Sequence, residues 1–372
     1  MINKSFVFFK KTDSLVLLVY LVGQLFFDFF QKINTCYDFG FLPYHRYIKA
    51  VLYIYICVSL ITVYKDLLES QVFKIVLLIL FIFLVANNFS ESRIEYFLQY
   101  SFFLILALFF SIKRDLQFVY IIKFLKAIVL VNFVFILIGS GFNLVFFKTY
   151  LYRNGFNGML ITSMQSTVFY FSVFALFIQE KLYFYVVITL ISALLVGTKT
   201  LVFGIPLLVF LDFLLGKKKI DGKTILLYFI FCLVGVIAIF NSNLFIDLIE
   251  KHRALTVFFS FRDQLLLDTM QKIKPTYSIS NFFIGGIDFS GGKTELDLID
   301  VFLFFGLLGT ILFGCLFIKL KSLLFTTRAK AYFFTIIVAA LFSGNILSYP
   351  FNTFLFLLLL KIMYENEENQ HT

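Results

Sequence analysis

Long apolar stretches recur along the whole chain, and they constrain its fold more than any other feature of the sequence. A helix that crosses the hydrocarbon core of a bilayer needs roughly 20 mostly apolar residues. Stretches of this kind follow one another from Leu15 onward, separated by short polar segments, in a chain with 61% hydrophobic and 15% charged residues. Such runs are too long for the core of a soluble domain. We therefore predict an all-α integral membrane protein with a single polytopic domain, residues 1–372.

About twelve stretches satisfy this criterion. They are 14–31, 47–64, 72–87, 96–112, 117–139, 161–179, 182–197, 200–216, 224–241, 296–318, 331–348 and 351–364. Two further segments are polar and too long to be simple connections, a shorter one at 139–160 and a long one at 241–295. Catalytic and binding residues favour loops held by a rigid scaffold, so we expect the chemistry of the protein in these two segments.

The distribution of Lys and Arg predicts which side of the membrane each segment faces. Cytoplasmic loops retain positive charge, and a cytoplasmic N-terminus puts Lys10, Lys113 and the run Lys217-Lys218-Lys219 on the cytoplasmic side. The same topology places both polar segments on the outer side. It also explains the net charge of +10, because the basic residues are spread over membrane-flanking loops, and we expect no nucleic-acid partner.

Three arginines, Arg153, Arg253 and Arg262, lie in the two outer segments. A guanidinium is a planar, permanent cation whose fork of donors matches phosphate oxygens, so this set is a candidate for binding a pyrophosphate. Taken singly, each is equally well explained as a loop arginine that meets lipid headgroups or pairs with a nearby carboxylate. Lys199, in a very short outer turn, is a fourth candidate, although a lysine there also reaches the membrane surface simply by extending its side chain.

Three carboxylates, Glu295, Asp297 and Asp300, lie where the long outer segment meets the next span. Acidic residues favour a helix N-terminus because they complement its dipole, which accounts for one or two of them. Glu295 is the least embedded and is the first candidate for a general base. Asp300, about one turn further in, is the second candidate and needs a partner to offset its burial.

Templates of other chemistries fail on this sequence. The spacing of the glycines and lysine in 286–294 is one residue too long for a phosphate-binding loop, and the glycines are better explained as turn formers. His45, His252 and His371 have no metal-ligand spacing. The four cysteines are far apart and predict neither a disulfide framework nor a zinc site. We expect neither a metal nor a cofactor.

Several short motifs follow one another through the C-terminal two-thirds of the chain. They are Arg153-Asn154-Gly155-Phe156, Gly197-Thr198-Lys199-Thr200, Ser260-Phe261-Arg262, Phe283-Ile284-Gly285-Gly286, Thr294-Glu295-Leu296-Asp297, Phe305-Gly306-Leu307-Leu308-Gly309 and Ser343-Gly344-Asn345-Ile346-Leu347. Their order, together with the number of predicted helices, resembles the O-antigen polymerase (Wzy-type) and O-antigen ligase superfamily. The family often has Ser-Arg at Thr198-Lys199 and Gly-His at Gly344-Asn345, and Lys199 keeps the charge without the planar fork.

The resemblance implies a GT-C-like membrane glycosyltransferase in the bacterial inner membrane, with its active site facing the periplasm. Such an enzyme polymerises undecaprenyl-pyrophosphate-linked O-antigen repeat units for lipopolysaccharide, moving the growing chain to the nonreducing end of the incoming unit. The four basic candidates would then stabilise the departing lipid pyrophosphate, and Glu295 or Asp300 would activate the acceptor hydroxyl. The family also suggests a chain-length regulator as a partner protein.

Metal-dependent transferases of lipid-linked sugars often carry an acidic pair in the first outer loop, where this chain has only Asp38. We therefore expect a metal-independent mechanism. Ligases tend to have a His near the position of Glu295, which favours a polymerase here. The alternatives are an O-antigen ligase that transfers polysaccharide to lipid A core and, from another class, a flippase or transporter of lipid-linked oligosaccharides.

Overall fold

The computed structural model shows a helical bundle. The residues it describes are 2–37, 39–40, 44–86, 89–113, 116–149, 155–216, 230, 233, 237, 256, 261–290, 292–320, 324 and 326–371, with side chains left out at 2–11, 44–45, 343 and 366–371. Within these residues the only β-structure is an isolated antiparallel bridge between Lys148 and Phe156. The prediction of an all-α protein is therefore confirmed for this part of the chain.

Fourteen α-helices and a short 3-10 helix at Val145–Phe147 make up the described bundle. The α-helices are α1 (Ile2–Tyr37), α2 (Tyr44–Ile61), α3 (Tyr64–Glu69), α4 (Gln71–Val85), α5 (Glu91–Ile112), α6 (Val119–Phe142), α7 (Ser163–Gln179), α8 (Tyr183–Val196), α9 (Lys199–Gly216), α10 (Arg262–Ile273), α11 (Ile279–Ile284), α12 (Asp297–Lys319), α13 (Thr327–Ser343) and α14 (Pro350–His371). Every predicted span except 224–241 falls on one of these helices, and 224–241 lies almost wholly outside the described residues.

Five helices are long and apolar enough to cross a membrane. They are Thr12–Tyr37 within α1, Glu91–Ile112, Val119–Phe142, Lys199–Gly216 and Asp297–Lys319. Two shorter apolar helices, Gln71–Val85 and Tyr183–Val196, accompany them. The chain is thus a multi-pass membrane protein built of α-helices.

The centre of the bundle is formed by α7 and α14, which pack against each other. Every residue of α7 from Gln165 to Phe177 is buried, and so is every residue of α14 from Phe351 to Met363. The polar side chains over these stretches are hydroxyls and amides, apart from the buried Lys361. A helix that is apolar all round belongs inside a bundle, and this pair forms the core around which the other helices pack.

The outer helices show large apolar side chains on the side away from this core. In α2, Leu52 and Ile56 are buried against the bundle, whereas Val51, Ile54 and Val58 are between 56% and 67% exposed. Their spacing of three and four residues puts them on one face of the helix. In a membrane protein such a face meets lipid, so these exposed residues mark the perimeter of the bundle.

Polar contacts join the helix ends into two groups at opposite ends of the bundle. At one end, the Lys113 ammonium lies 3.0 Å from the Asp13 carboxylate, and Arg328 lies 3.2 Å from Asp212. At the other end, Lys32 of α1 donates to Asn157 Oδ1 at 2.5 Å and to the carbonyls of 158 and 160 at 2.7 and 3.0 Å. These contacts connect the ends of helices that run in alternating directions.

The helix α12 is interrupted at Gly306, whose φ of 70° and ψ of −172° are not helical. The backbone of Gly285 crosses α12 at this point, so close that a Cβ on either glycine would overlap the other segment's main chain. Just beyond the crossing, Gly286 N donates to Phe304 O at 3.0 Å. The crossing fixes the segment that precedes α12 against the helix itself, and it thereby positions the acidic residues between them.

Candidate functional site

The turn that leads into α12 brings two of the predicted site residues together. Arg262, the first residue of α10, places its Nη2 atom 3.4 Å from Glu295 Oε2 and donates from Nε to the Glu295 main-chain oxygen at 3.1 Å. The side chains are 19% and 44% exposed. Both are therefore within reach of solvent or of a ligand at the end of the bundle.

Left-handed backbone aims the two side chains at each other. Phe261, directly before α10, has a φ of 66°, and Glu295 itself has a φ of 56°. Such values are uncommon for residues other than glycine and persist where the surrounding structure imposes them. Here Gly344 supplies part of that constraint, because a Cβ at this position would overlap the backbone of Glu295. Glycine at 344 thus allows the close approach that shapes the Glu295 turn.

Asp297 is a fully buried carboxylate with a structural role. Its oxygens accept hydrogen bonds from the backbone N–H groups of Asn345, Ile346 and Leu347 at 2.8, 2.5 and 2.9 Å. Three donors of this kind offset the large penalty for burying a negative charge. Asp297 therefore ties the start of α12 to the segment between α13 and α14, which explains one of the three acidic residues.

Asp300, the second predicted base, is also fully buried. Its Oδ1 atom accepts from Thr294 N at 3.0 Å and from Thr294 Oγ1 at 2.8 Å, which closes the turn before α12. Its Oδ2 atom has no hydrogen-bond partner among the described residues. A carboxylate without solvent contact cannot take a proton from a bulky acceptor, so the geometry favours Glu295 over Asp300 for that role.

Lys293 is a member of the site that the sequence analysis missed. Its ammonium donates to Ser348 Oγ at 3.0 Å and to Gln99 Oε1 at 3.4 Å, and it lies 4.4 Å from the centre of the Tyr96 ring. Burial lowers the pKa of Lys293, while the charges of Asp297, Asp300 and Glu295 act to raise it. Its position two residues before Glu295 was the only sign of its role in the sequence. Its contacts with Ser348 and Gln99 join residues that are distant in sequence, so no local pattern predicts them.

A second anchor holds the preceding loop on the bundle. The Arg93 guanidinium is fully buried and lies 4.9 and 5.4 Å from the centres of the Phe83 and Phe304 rings. Asp288 accepts hydrogen bonds from Ser92 Oγ and from Ser290 N, and its charge interacts favourably with Arg93. Arg93 and Asp288 therefore fasten the loop 285–290 to α5 beside the site.

The remaining basic candidates from the sequence are Arg153, Arg253 and Lys199. Arg153 and Arg253 lie outside the described residues. Lys199 begins α9, directly after a turn that contacts the shorter polar segment: Val196 O accepts from Thr149 Oγ1 at 2.8 Å, and Leu195 O accepts from Phe156 N at 2.8 Å. This turn is thus fixed by residues of the segment 139–160.

The arrangement is suited to binding an anion beside a base. Arg262 contacts Glu295, the charge of Glu295 also acts on Lys293, and Glu295 is the most exposed of the three carboxylates. The separation of 3.4 Å between Arg262 and Glu295 is longer than the roughly 2.7–2.9 Å of a strong charge-assisted bond.

Among the described residues, no group of three or more His, Cys, Asp or Glu side chains is close enough together to hold a metal ion. The chain was also compared with known protein families, with curated proteins and with solved structures. None of these comparisons found a match.

Proposed function

We propose that this protein is a membrane glycosyltransferase of the O-antigen polymerase type. It would join undecaprenyl-pyrophosphate-linked repeat units at the periplasmic face of the bacterial inner membrane. The observation that carries the proposal is the pairing of Arg262 with Glu295 at the start of a membrane helix. A guanidinium suits a pyrophosphate leaving group, and an accessible carboxylate suits the role of general base in glycosyl transfer from a lipid pyrophosphate.

In the proposed reaction Glu295 accepts the proton of the acceptor hydroxyl on the nonreducing-end sugar of the incoming unit. The hydroxyl oxygen then forms the new bond to the anomeric carbon of the growing chain. The bond between that carbon and the pyrophosphate oxygen breaks, and its electron pair stays on the departing lipid pyrophosphate. Arg262 stabilises the negative charge that develops there, and in the proposal Arg153, Arg253 and Lys199 contribute to the same stabilisation.

The proposed architecture has twelve spans in a GT-C-like arrangement. Its support comes from the two ends of α13, since Arg328 near the start of this helix contacts Asp212 of α9, and Gly344 after its last residue contacts Glu295. The chain therefore leaves α9 at one end of the bundle and reaches Arg262 at the other. The predicted span 224–241 would supply the crossing between them.

The membrane side follows from the positive-inside rule. The end of the bundle that holds Arg328 and Lys113 would be cytoplasmic, and the end that holds Glu295 would face the periplasm. In that orientation lipid-linked sugars reach the site from the bilayer, and a chain-length regulator would contact the same membrane. The proposed chemistry uses neither a nucleotide nor a redox cofactor.

The experiment that tests the proposal is a lipopolysaccharide gel from the source strain with the gene deleted and then restored. A polymerase predicts that the ladder collapses to core with a single repeat unit and returns with the gene. Loss of even the single unit would instead identify the ligase or flippase alternative. Rescue of a ligase-null strain would separate these two, and an unchanged ladder would overturn the whole proposal.

A further inference from the structure

The short helix α11 lies beside the membrane helix α12 rather than beyond its end. The ring of Phe282 is 5.6 Å from that of Phe302, and Gly286 N donates to Phe304 O at 3.0 Å. Phe302 and Phe304 follow Asp297, the first residue of α12, by five and seven residues. At 1.5 Å per residue, the contact lies about 8–10 Å along the helix from its start.

The same contacts satisfy backbone groups that the break in α12 would otherwise leave unpaired. Leu303 O and Phe304 O precede the non-helical Gly306, and they accept from Ile287 N at 3.4 Å and from Gly286 N at 3.0 Å. Irregular backbone at membrane depth is tolerated only where protein or a water-filled cavity provides partners. The loop after α11 thus supplies the partners that a helix break at membrane depth requires.

Beside its contact with α12, α11 exposes large apolar side chains. Ile279, Phe282 and Phe283 are 80%, 41% and 45% exposed. Exposing such a cluster to water is unfavourable by roughly 25 cal/mol for each Å² of apolar surface. The neighbouring helix α4 contacts both α11 and α12, and its Phe81 and Leu84 are 61% and 58% exposed. The apolar side of α11 therefore continues the lipid-facing surface of α4.

We propose that α11 and the loop 285–287 form a re-entrant element of the membrane domain, with Ile279, Phe282 and Phe283 covered by lipid acyl chains. The depth of the contact with α12 and the continuity with α4 both identify the bilayer as the occupant. This inference concerns the membrane boundary and stands whether or not the proposed reaction is correct. The element ends before Asp288, so the site residues from Lys293 onward follow directly after a support within the membrane.

The test measures the surroundings of α11 in a bilayer. Single cysteines are introduced at Ile279, Phe282 or Phe283, with Lys274 as an exposed polar control, in protein whose four native cysteines are replaced by serine. Each is labelled with an environment-sensitive fluorophore and reconstituted into phosphatidylcholine vesicles. Quenching is compared between lipids that carry a nitroxide on the acyl chain and iodide present on both sides of the membrane.

We expect several-fold stronger quenching by the acyl-chain nitroxide at 279, 282 and 283 than at 274, a blue-shifted emission, and the opposite ranking for iodide. Iodide quenching at the three positions equal to that at 274 would show that α11 lies in water and would overturn the proposal. Weak quenching by both agents would mean that a protein surface, such as a second copy, covers α11, which also overturns it. Labelled proteins are compared only where their melting temperature matches that of the unlabelled parent.

Discussion

Arg262 and Glu295 are 33 residues apart in sequence and are joined by an ion pair and a hydrogen bond. Arg262 Nη2 lies 3.4 Å from Glu295 Oε2, and Arg262 Nε donates to the Glu295 main-chain oxygen at 3.1 Å. An ion pair between partly exposed side chains contributes only about 0–1 kcal/mol to stability. The pair therefore contributes little to the stability of the fold, and its partial exposure leaves both side chains accessible to a substrate. Substitutions here should separate function from folding.

Arg262→Lys should abolish nearly all polymerisation while expression and thermal stability stay normal. Lysine keeps the positive charge but loses the planar fork that binds two phosphate oxygens at once. The measurement is the lipopolysaccharide ladder in the complemented deletion strain, with Lys274→Arg, an exposed position beyond the same helix, as the matched control. A full ladder with Arg262→Lys would rule out the fork argument.

Glu295→Gln should lose the ladder to a similar degree, because the amide cannot accept a proton from the acceptor hydroxyl. Its melting temperature in detergent should stay close to that of the parent, since Gln keeps the shape of the side chain and the main-chain bond to Arg262. Asp268→Asn, an exposed carboxylate on α10, is the control and should leave the ladder unchanged. Normal chain length with Glu295→Gln would remove Glu295 as the base.

Asp297→Asn should instead lower stability, and it separates the structural carboxylate from the chemical one. The amide nitrogen that replaces one oxygen would face backbone donors at 345–347, leaving buried N–H groups without acceptors. Such a loss is expected to cost about 2–4 kcal/mol, given about 1–3 kcal/mol for each unsatisfied group. Thermal unfolding in detergent measures it, and an unchanged melting temperature would contradict the assigned role.

The helices of this protein follow from its sequence because hydropathy is a local property. The apolar runs around Phe102 and Phe171 are longer than the core of a soluble domain needs, and both lie on buried helices. Five of the helices also meet the length and apolarity of a membrane span. The same local reasoning identified turn-forming glycines in 286–294, since Gly286 and Gly292 have φ values of 98° and 100°.

The site was predictable only where its members lie close together in sequence. The cluster of Glu295, Asp297 and Asp300 stood out as three acidic residues at a helix start, but their different roles did not. The structural role of Asp297 depends on hydrogen bonds from backbone groups about fifty residues downstream. No local sequence pattern predicts that contact. The break at Gly306 was similarly hidden, because its cause is the distant Gly285 that crosses α12.

The acid stability of the protein should depend on Asp288. Burial acts to raise the pKa of this carboxyl, but hydrogen bonds from Ser90, Ser92 and the backbone of Ser290, with the charge of Arg93, lower it below 3.8 overall. A carboxyl with a lowered folded-state pKa stabilises the fold above its unfolded value of 3.8 and loses this contribution as pH falls through the folded value. Melting temperatures measured in detergent from neutral pH to below 3.8 should therefore fall less steeply in Asp288→Asn than in the parent. Equal slopes would contradict the role of Asp288.

Gly306→Ala should be among the most destabilising single changes in α12. Alanine would have to adopt a φ of 70°, and its Cβ would overlap the main chain at 283–285. Strain of this kind costs on the order of 1–3 kcal/mol before any displacement of the crossing segment is counted. Gly314→Ala on the same helix is the matched control, because nothing lies within 4 Å of its added Cβ, and alanine there should be neutral or favourable by up to about 1 kcal/mol. Thermal unfolding of the two variants in the same detergent gives the comparison. Equal melting temperatures would mean that the crossing of Gly285 and Gly306 does not hold the segment before α12 in place.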